Sequence, residues 1–279
     1  MIYIKNLIEE YYNIKVIKIN NCGEFYILNN IYYLYIVKNI DDANKQLSAT
    51  SYIDYFYVPV FNKFNNIYLF YNNEFYILFK CSNILFNKSF LIDNELLLNG
   101  NCILDWKKTW KIKSDYINNF FKINNINNKY INSSIDYYLG LAESAIMLLD
   151  NYNNYHGRCS VCYICYDNKD FCNPLNTKID LFERNVAEYL KILFYDSSYN
   201  FDYIDLLLYE CSSYCNYNLV LARMIYPSNY FYSLEEFFTS NNPQLLHKII
   251  SMNSLYEKYI MGVYNIMCKY QNIKKISFT

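Results

Sequence analysis

Up to about residue 81 the apolar residues of this chain come in short runs broken by asparagine pairs, whereas beyond about residue 84 they recur at helical period over long stretches. That change of rhythm restricts the fold more than any other feature. A chain that segregates its strands from its helices builds an antiparallel sheet in one part and a helical body in the other, which is an α+β protein. Ile2 to Tyr12 has helical spacing and predicts a short helix. Lys15 to Ile19, Glu24 to Leu28 and Ile31 to Lys38 read as strands, joined by turns at Asn20-Asn21-Cys22-Gly23 and Asn29-Asn30. Asp41 to Asp54 predicts a helix with acids at its favourable end, and Asn66 to Tyr71 with Glu74 to Cys81 a hairpin turning at Asn72-Asn73.

In the second part, Leu104 to Ile123 predicts a helix that buries Trp106 and Trp110, one turn apart, on a single face. Asn124 to Asn132 reads as a loop, and Ser133-Ser134 as the cap of a helix from Ile135 to Asn151. Thr177 to Phe182 reads as a strand. Glu183 to Tyr195, Phe201 to Met224, Tyr230 to Phe238 and Pro243 to Tyr270 read as helices. The expected division is a β-rich N-lobe, residues 1–83, and a mainly α-helical C-lobe, residues 84–279, with no internal repeat.

Composition excludes several function classes. Twenty-five basic and 26 acidic side chains give a net charge of −1, and neither sign gathers into a block, so no nucleic-acid partner is expected. The first ten residues carry two glutamates and no small-residue cleavage site, which argues against a signal peptide. Apolar runs such as Ile31 to Val37 fall short of the roughly 20 residues of a membrane span. The abundance of Tyr, Asn, Ile and Lys follows codons rich in A and T, so 35 tyrosines alone do not indicate a tyrosine-based function. Ten cysteines in an intracellular chain are expected to be reduced thiols, with Cys22, Cys81, Cys102 and Cys268 as buried packing residues.

The stretch His156-Gly157-Arg158-Cys159-Ser160-Val161-Cys162-Tyr163-Ile164-Cys165 has two readings. Zinc or an iron–sulfur cluster needs three or four converging thiolates, and Cys159, Cys162 and Cys165, with Cys172 as a fourth, have spacings for it. The intervening residues are strand formers, however, and an extended backbone turns Cys162 away from Cys159 and Cys165. No metal is therefore expected there, and a metal- or cluster-binding protein through residues 159–172 stays open as a second alternative.

The second reading starts from His-Gly-x at mid-chain, between an N-terminal sheet and a helical body. This arrangement resembles the aminoglycoside phosphotransferase and choline kinase group, relatives of protein kinases. In that group the catalytic loop runs H-G-D-x-x-x-x-N, and a later strand supplies a metal-binding Asp. Here Arg158 stands at the base position, Tyr163 at the Asn position, and Asp180 is the one carboxylate kept on the later strand. Gly23 is the only glycine of the N-lobe, so no glycine-rich loop covers phosphates there. Lys38 stands where the nucleotide-contacting lysine would, but Asp42 to Ile53 lacks the glutamate that would pair with it.

One branch of the group is a closer match. The spore-coat kinase-like proteins of the CotS and YutH type carry a tryptophan-bearing helix and Y-Y-x-G-x-A-E-x-A-I, H-x-R, D-x-x-x-R-D-x-A-E-Y-x-K and A-R-x-x-x-P-x-x-Y-F segments. This chain has Trp106 and Trp110, then Tyr137 to Ile146, His156-Gly157-Arg158, Asp180 to Lys191, and Ala222 to Phe231, with Asn185 where the branch has Asp. The resemblance implies a two-lobed protein-kinase-like fold, with a small antiparallel N-lobe and a large helical C-lobe. It also implies a role in spore coat assembly, in the mother-cell cytoplasm and then the coat. Because base, loop asparagine, glycine loop and helix glutamate are missing together, that role is expected to be non-catalytic, structural or interaction, without cofactor. Partners would be other coat or sporulation proteins.

Within that frame His156, Arg158 and Asp180 form a degenerate site and Lys38 a vestigial one. His156 is expected as a satisfied structural histidine. Two placements of Arg158 stay open: a bidentate pair with Asp180 that fills the vacant metal site, or an exposed guanidinium beside an Asp that caps its own turn. The rival enzyme reading, a divergent phosphotransferase, would use Asp180, Lys38 and Glu183.

Overall fold

Asn72 and Asn73 adopt positive φ angles of 48° and 63°, and the two-residue turn they make joins strands Tyr68–Tyr71 and Glu74–Cys81. Positive φ at both central residues matches the twist of paired strands, and asparagine tolerates it better than other side chains with a Cβ. Asn29 and Asn30, at 52° and 64°, likewise turn the chain, in the three-residue connection Asn29-Asn30-Ile31 between Phe25–Leu28 and Tyr32–Val37. These two expected hairpins are therefore present. The structure is a computed structural model describing residues 2–22, 25–37, 39–41, 44, 47, 57–81, 97–124, 129–163, 177–240 and 243–276. It divides into two units, Met1–Leu98 with Val161–Ile179, and Asn99–Ser160 with Asp180–Thr279.

The first unit opens with helix α1 (Ile2–Tyr12) and continues through strands β1 (Ile19–Asn21), β2 (Phe25–Leu28), β3 (Tyr32–Val37), β4 (Tyr57–Pro59), β5 (Tyr68–Tyr71) and β6 (Glu74–Cys81). These form an antiparallel sheet ordered β1-β2-β3-β6-β4, with β5 also paired to β6. Alternation sorts the faces: Tyr35, Val37, Ile77 and Phe79 bury with Phe25 and Val161, while Leu34, Tyr76 and Leu78 bury against Ile4, Leu7 and Ile8 of α1. The strand expected at Lys15 to Ile19 starts later. Asn29 takes the amides of Ile17 and Lys18 on its side-chain oxygen and donates to the Lys15 carbonyl, so that stretch bonds to a side chain instead of a strand. β4 was not expected; its Pro59 is tolerated because it lies at a sheet edge. Most of Asp41 to Asp54 lies outside the described residues.

A second sheet, of order β7-β8-β9, joins Leu97–Ile103, His156–Tyr163 and Thr177–Leu181. β7 was not expected, because the chain beyond about residue 84 reads as helical period. β8 holds the His-Gly-Arg stretch, which is strand and not loop.

The second unit's helices are α2 (Trp106–Asn124), α3 (Lys129–Leu148), α4 (Phe182–Tyr195), α5 (Phe201–Cys211), α6 (Tyr217–Ile225), α7 (Ser228–Ser240), α8 (Gln244–Ser251) and α9 (Asn253–Tyr270). α4 is the central one, buried from Phe182 through Phe194. Three helix expectations needed correction. The helix of Phe201 to Met224 breaks into α5 and α6, because Asn216 caps α6 and Gln271 binds the Ser212 and Cys215 carbonyls and the Tyr217 amide. The helix of Pro243 to Tyr270 breaks at Met252, which ends α8 and begins α9. Ser133 and Ser134 lie inside α3, where Ser134 bonds the Ile131 carbonyl and meets the Tyr230 hydroxyl at 2.7 Å. Core tyrosines tether their hydroxyls to backbone carbonyls, Tyr259 to Leu190 at 2.8 Å and Tyr256 to Met224 at 2.9 Å.

The cysteines also depart from expectation. Cys102 on β7 and Cys159 on β8 form a disulfide, with Cα atoms 5.1 Å apart, and Cys22 and Cys268 are exposed. Adjacent strands bring Cys102 and Cys159 within bonding reach, which spacing along the chain does not reveal. The bond spans 57 residues of sequence, so its loss frees a long loop in the unfolded chain. Replacing both cysteines by serine is expected to cost about 2–4 kcal/mol. Thermal unfolding with and without dithiothreitol checks this: the reductant should lower the wild-type midpoint and leave the double serine variant unmoved.

Candidate functional site

Strand alternation decides which of His156, Gly157 and Arg158 face inward. Gly157 is buried between two exposed neighbours, and a Cβ there would sit 2.7 Å from Leu181 Cδ2 and 2.8 Å from a Tyr155 ring carbon. Packing therefore requires this glycine whether or not the chain does chemistry. His156 is exposed and makes no side-chain hydrogen bond among the described residues, so it is not the satisfied histidine that was expected. Arg158 lies with its guanidinium 5.0 Å above the ring of Tyr214. β8 turns Arg158 outward, so its guanidinium is exposed, as in one of the two open placements.

Asp180, at the end of β9, is buried. Its Oδ1 accepts from the Trp106 indole at 2.9 Å and from the Leu181 amide at 2.8 Å, and its Oδ2 from Arg184 Nη1 at 3.2 Å. Arg184 sits on the first turn of α4, four residues on, and is buried too. Asp180, which one of the two open placements would pair with Arg158, pairs with Arg184. Magnesium, which the fold group implies, does not fit this donor set. Both carboxylate oxygens already accept N–H bonds, and the permanent cation of Arg184 beside them opposes a second cation.

A second buried cluster continues from the first. Arg223 on α6 lies 5.6 Å from the ring of Trp106 and 5.8 Å from that of Trp110, while Trp110 stacks on Tyr226 at 4.2 Å. Its Nε donates to Glu188 Oε1 at 2.7 Å, and Lys191 Nζ stands 3.5 Å from the same oxygen. Lys191 also donates to Ser228 Oγ at 3.2 Å and to the Tyr226 carbonyl at 3.4 Å. Burial alone would raise the Glu188 carboxyl, but Lys191, Arg223 and Arg184 outweigh it and hold it down at about 2. Burial, with Arg223 adding to it, pushes the Lys191 ammonium the other way from a free lysine, downward. Asp180, Trp106, Arg223, Glu188 and Lys191 thus form one continuous chain of contacts through β9, α2, α6 and α4.

Glu183, the residue named for a rival enzyme, is buried beside Gly157. Its Oε1 accepts from the Asn216 amide at 3.0 Å and from the Tyr155 hydroxyl at 3.3 Å, and its Oε2 has no hydrogen-bond partner. Burial pushes its carboxyl up despite those two donors. Lys38, Cys165 and Cys172 lie outside the described residues. Cys159 is bonded to Cys102, and Cys162 is buried on the opposite side of β8. Among the described residues no group of three or more His, Cys, Asp or Glu converges as a metal site would require, and no helix is long and apolar enough to cross a membrane.

Sequence reasoning named Asp180 and Trp106 but not their bond. The signal it missed was Asp180 to Arg184, an i,i+4 spacing across a strand-to-helix junction. Nothing local pointed to Arg223 meeting Glu188, which lies 35 residues earlier.

Two solved structures that this chain resembles are phosphotransferases. An aminoglycoside phosphotransferase from Alicyclobacillus acidocaldarius is 8% identical, over 92% of this chain and 94% of that one, with a TM-score of 0.59. A spectinomycin phosphotransferase in complex with ADP and spectinomycin is 9% identical, over 95% of this chain and 97% of that one, with a TM-score of 0.54. At such identity these likenesses speak to the fold, which is α+β and aminoglycoside phosphotransferase-like. No curated protein matches the sequence. Residues 93–261, more than half of the chain, match the family described as "Spore coat putative kinase YutH". The chain belongs to the YutH family of kinase-like spore coat proteins.

Proposed function

We propose that this protein is a non-catalytic member of that family, a structural or interaction component of the spore coat whose kinase-like site has become a buried framework. One observation carries the reading. The carboxylate that would hold metal in the phosphotransferase group, Asp180, has its oxygens committed to Trp106, Leu181 and Arg184. The stretch that would supply the base has Arg158 in its place, stacked on Tyr214. Phosphoryl transfer depends on positioning and on charge neutralised by metal, and neither group serves it in these roles.

Its place would be the mother-cell cytoplasm and then the coat, among other coat or sporulation proteins. The Cys102–Cys159 disulfide supports the second location more than the first, because disulfides persist in oxidising surroundings.

Thermal unfolding with and without millimolar ATP or GTP and Mg²⁺ tests the non-catalytic reading. A native-state site at 100 times its dissociation constant would add about 2.7 kcal/mol, so even weak binding registers. The expected result is an unchanged midpoint. A magnesium-dependent rise with either nucleotide would favour the divergent phosphotransferase instead.

A further inference from the structure

Two helices of the second unit present apolar stripes to solvent, and the rims of those stripes carry opposite charge. On α5 the inward residues are Ile204, Leu207, Leu208 and Cys211. Outward stand Leu206 and Tyr209, 56% and 63% exposed, beside Tyr203, 39% exposed. Leu206 and Tyr209 follow Asp202 by four and seven residues, and Glu210 follows Tyr203 by seven, so a carboxylate flanks the stripe at either end. Asp205 is tied to Lys269 and Tyr270, whereas Asp202 and Glu210 have no ion-pair partner among the described residues.

On α2 the inward residues are Trp106, Trp110, Ser114 and Ile117. Outward stand Ile112, 61% exposed, and Tyr116, 49% exposed. They follow Lys108 at i+4 and i+8, with Lys111 alongside and Asp115 the acid on that face. Lys107 and Lys113 are held by Asp150 and Glu235, whereas Lys108 and Lys111 have no ion-pair partner among the described residues.

We propose that these two faces bind each other in successive copies of this chain, α5 of one copy on α2 of the next. Charge selects this pairing. Two α5 faces would set Asp202 and Glu210 against their own copies, whereas α5 on α2 sets them against Lys108 and Lys111. A contact between different surfaces is heterologous, so each copy keeps one face open and association continues past the dimer. Stripes of two or three turns bury less than a standard interface of about 1,600 Å², so association depends on concentration. The contact does not depend on whether the chain transfers phosphate.

Sedimentation velocity of the full chain, from low to high micromolar concentration and at two salt levels, reads it out. The expected wild-type result is a mass that grows beyond the dimer with concentration and shrinks with added salt. Leu206→Asp with Tyr209→Asp, and separately Ile112→Asp with Tyr116→Asp, should each give monomer, and an equimolar mixture of the two variants should stop at dimer. Charge reversals on exposed positions serve if an apolar variant fails to fold. Asp202→Lys with Glu210→Lys, or Lys108→Glu with Lys111→Glu, should each weaken association about tenfold or more, and mixing the two should restore it. A wild type that stays monomeric, a wild type that stops at dimer with only the α5 variants affected, or mixtures that fail to reassociate would each overturn the proposal.

Discussion

Asp180→Asn should destabilise the protein by about 3–5 kcal/mol, a large part of the 5–15 kcal/mol that holds a typical domain together. The asparagine keeps an acceptor for Trp106 and the Leu181 amide, so the cost comes from Arg184, a buried guanidinium left without its counter-charge. Arg184→Met should cost a similar amount, by stranding the carboxylate. Combining the two changes should recover most of the loss, because replacing a buried pair by uncharged groups of similar volume is often nearly neutral. A metal ligand predicts another pattern: Asp180→Asn would leave the ligand-free protein as stable or more so, and Arg184→Met would not rescue it. Urea unfolding of the two single variants and the double variant, without added metal, separates these outcomes. Additive losses in the double variant would show that Asp180 and Arg184 are not coupled.

The same residues explain how much of this molecule could be read from its sequence. The hairpins were legible because asparagine pairs at positive φ declare their own turns, as Asn29-Asn30 and Asn72-Asn73 do. The segregation of strands from helices was legible because periodicity is a local property. Breaks within helices were harder to see. Asn216 and Gln271 interrupt the stretch from Phe201 to Met224, and Gln271 arrives from the far end of the chain. The site was legible as a set of segments, each named, but not as a circuit. The bond from Trp106 to Asp180 crosses 74 residues, and no spacing rule reaches that far. Arg158 looked like the natural partner of Asp180 because both sat in the degenerate motif, yet a strand turns every second side chain outward, and Arg184 was already one helical turn away.

Glu188→Gln should be comparably costly at neutral pH, and its effect should vanish in acid. Among the described residues Glu188 is the one carboxylate paired with Arg223 and Lys191, on a helix turn with almost no exposure. Neutralising it strands both cations. Lys191 can relieve its share by releasing its proton, since burial and Arg223 already push it down to about 8 and the glutamate is what opposes them. Arg223 cannot, because a guanidinium stays charged in protein. The cost is therefore expected at about 3 kcal/mol or more at pH 7. Acid removes the difference for a definite reason. The folded carboxyl is held at about 2 by Lys191, Arg223 and Arg184 against its own burial, whereas an unfolded glutamate titrates near 4.3. A carboxyl depressed in the folded state contributes fully above the unfolded value, and its contribution drains away as pH falls through the folded one. Urea midpoints of wild type and variant should differ most above about pH 5 and converge toward pH 2. A gap of constant size across that range would mean that Glu188 acts by shape and hydrogen bonding alone, and that the three cations do not depend on its charge.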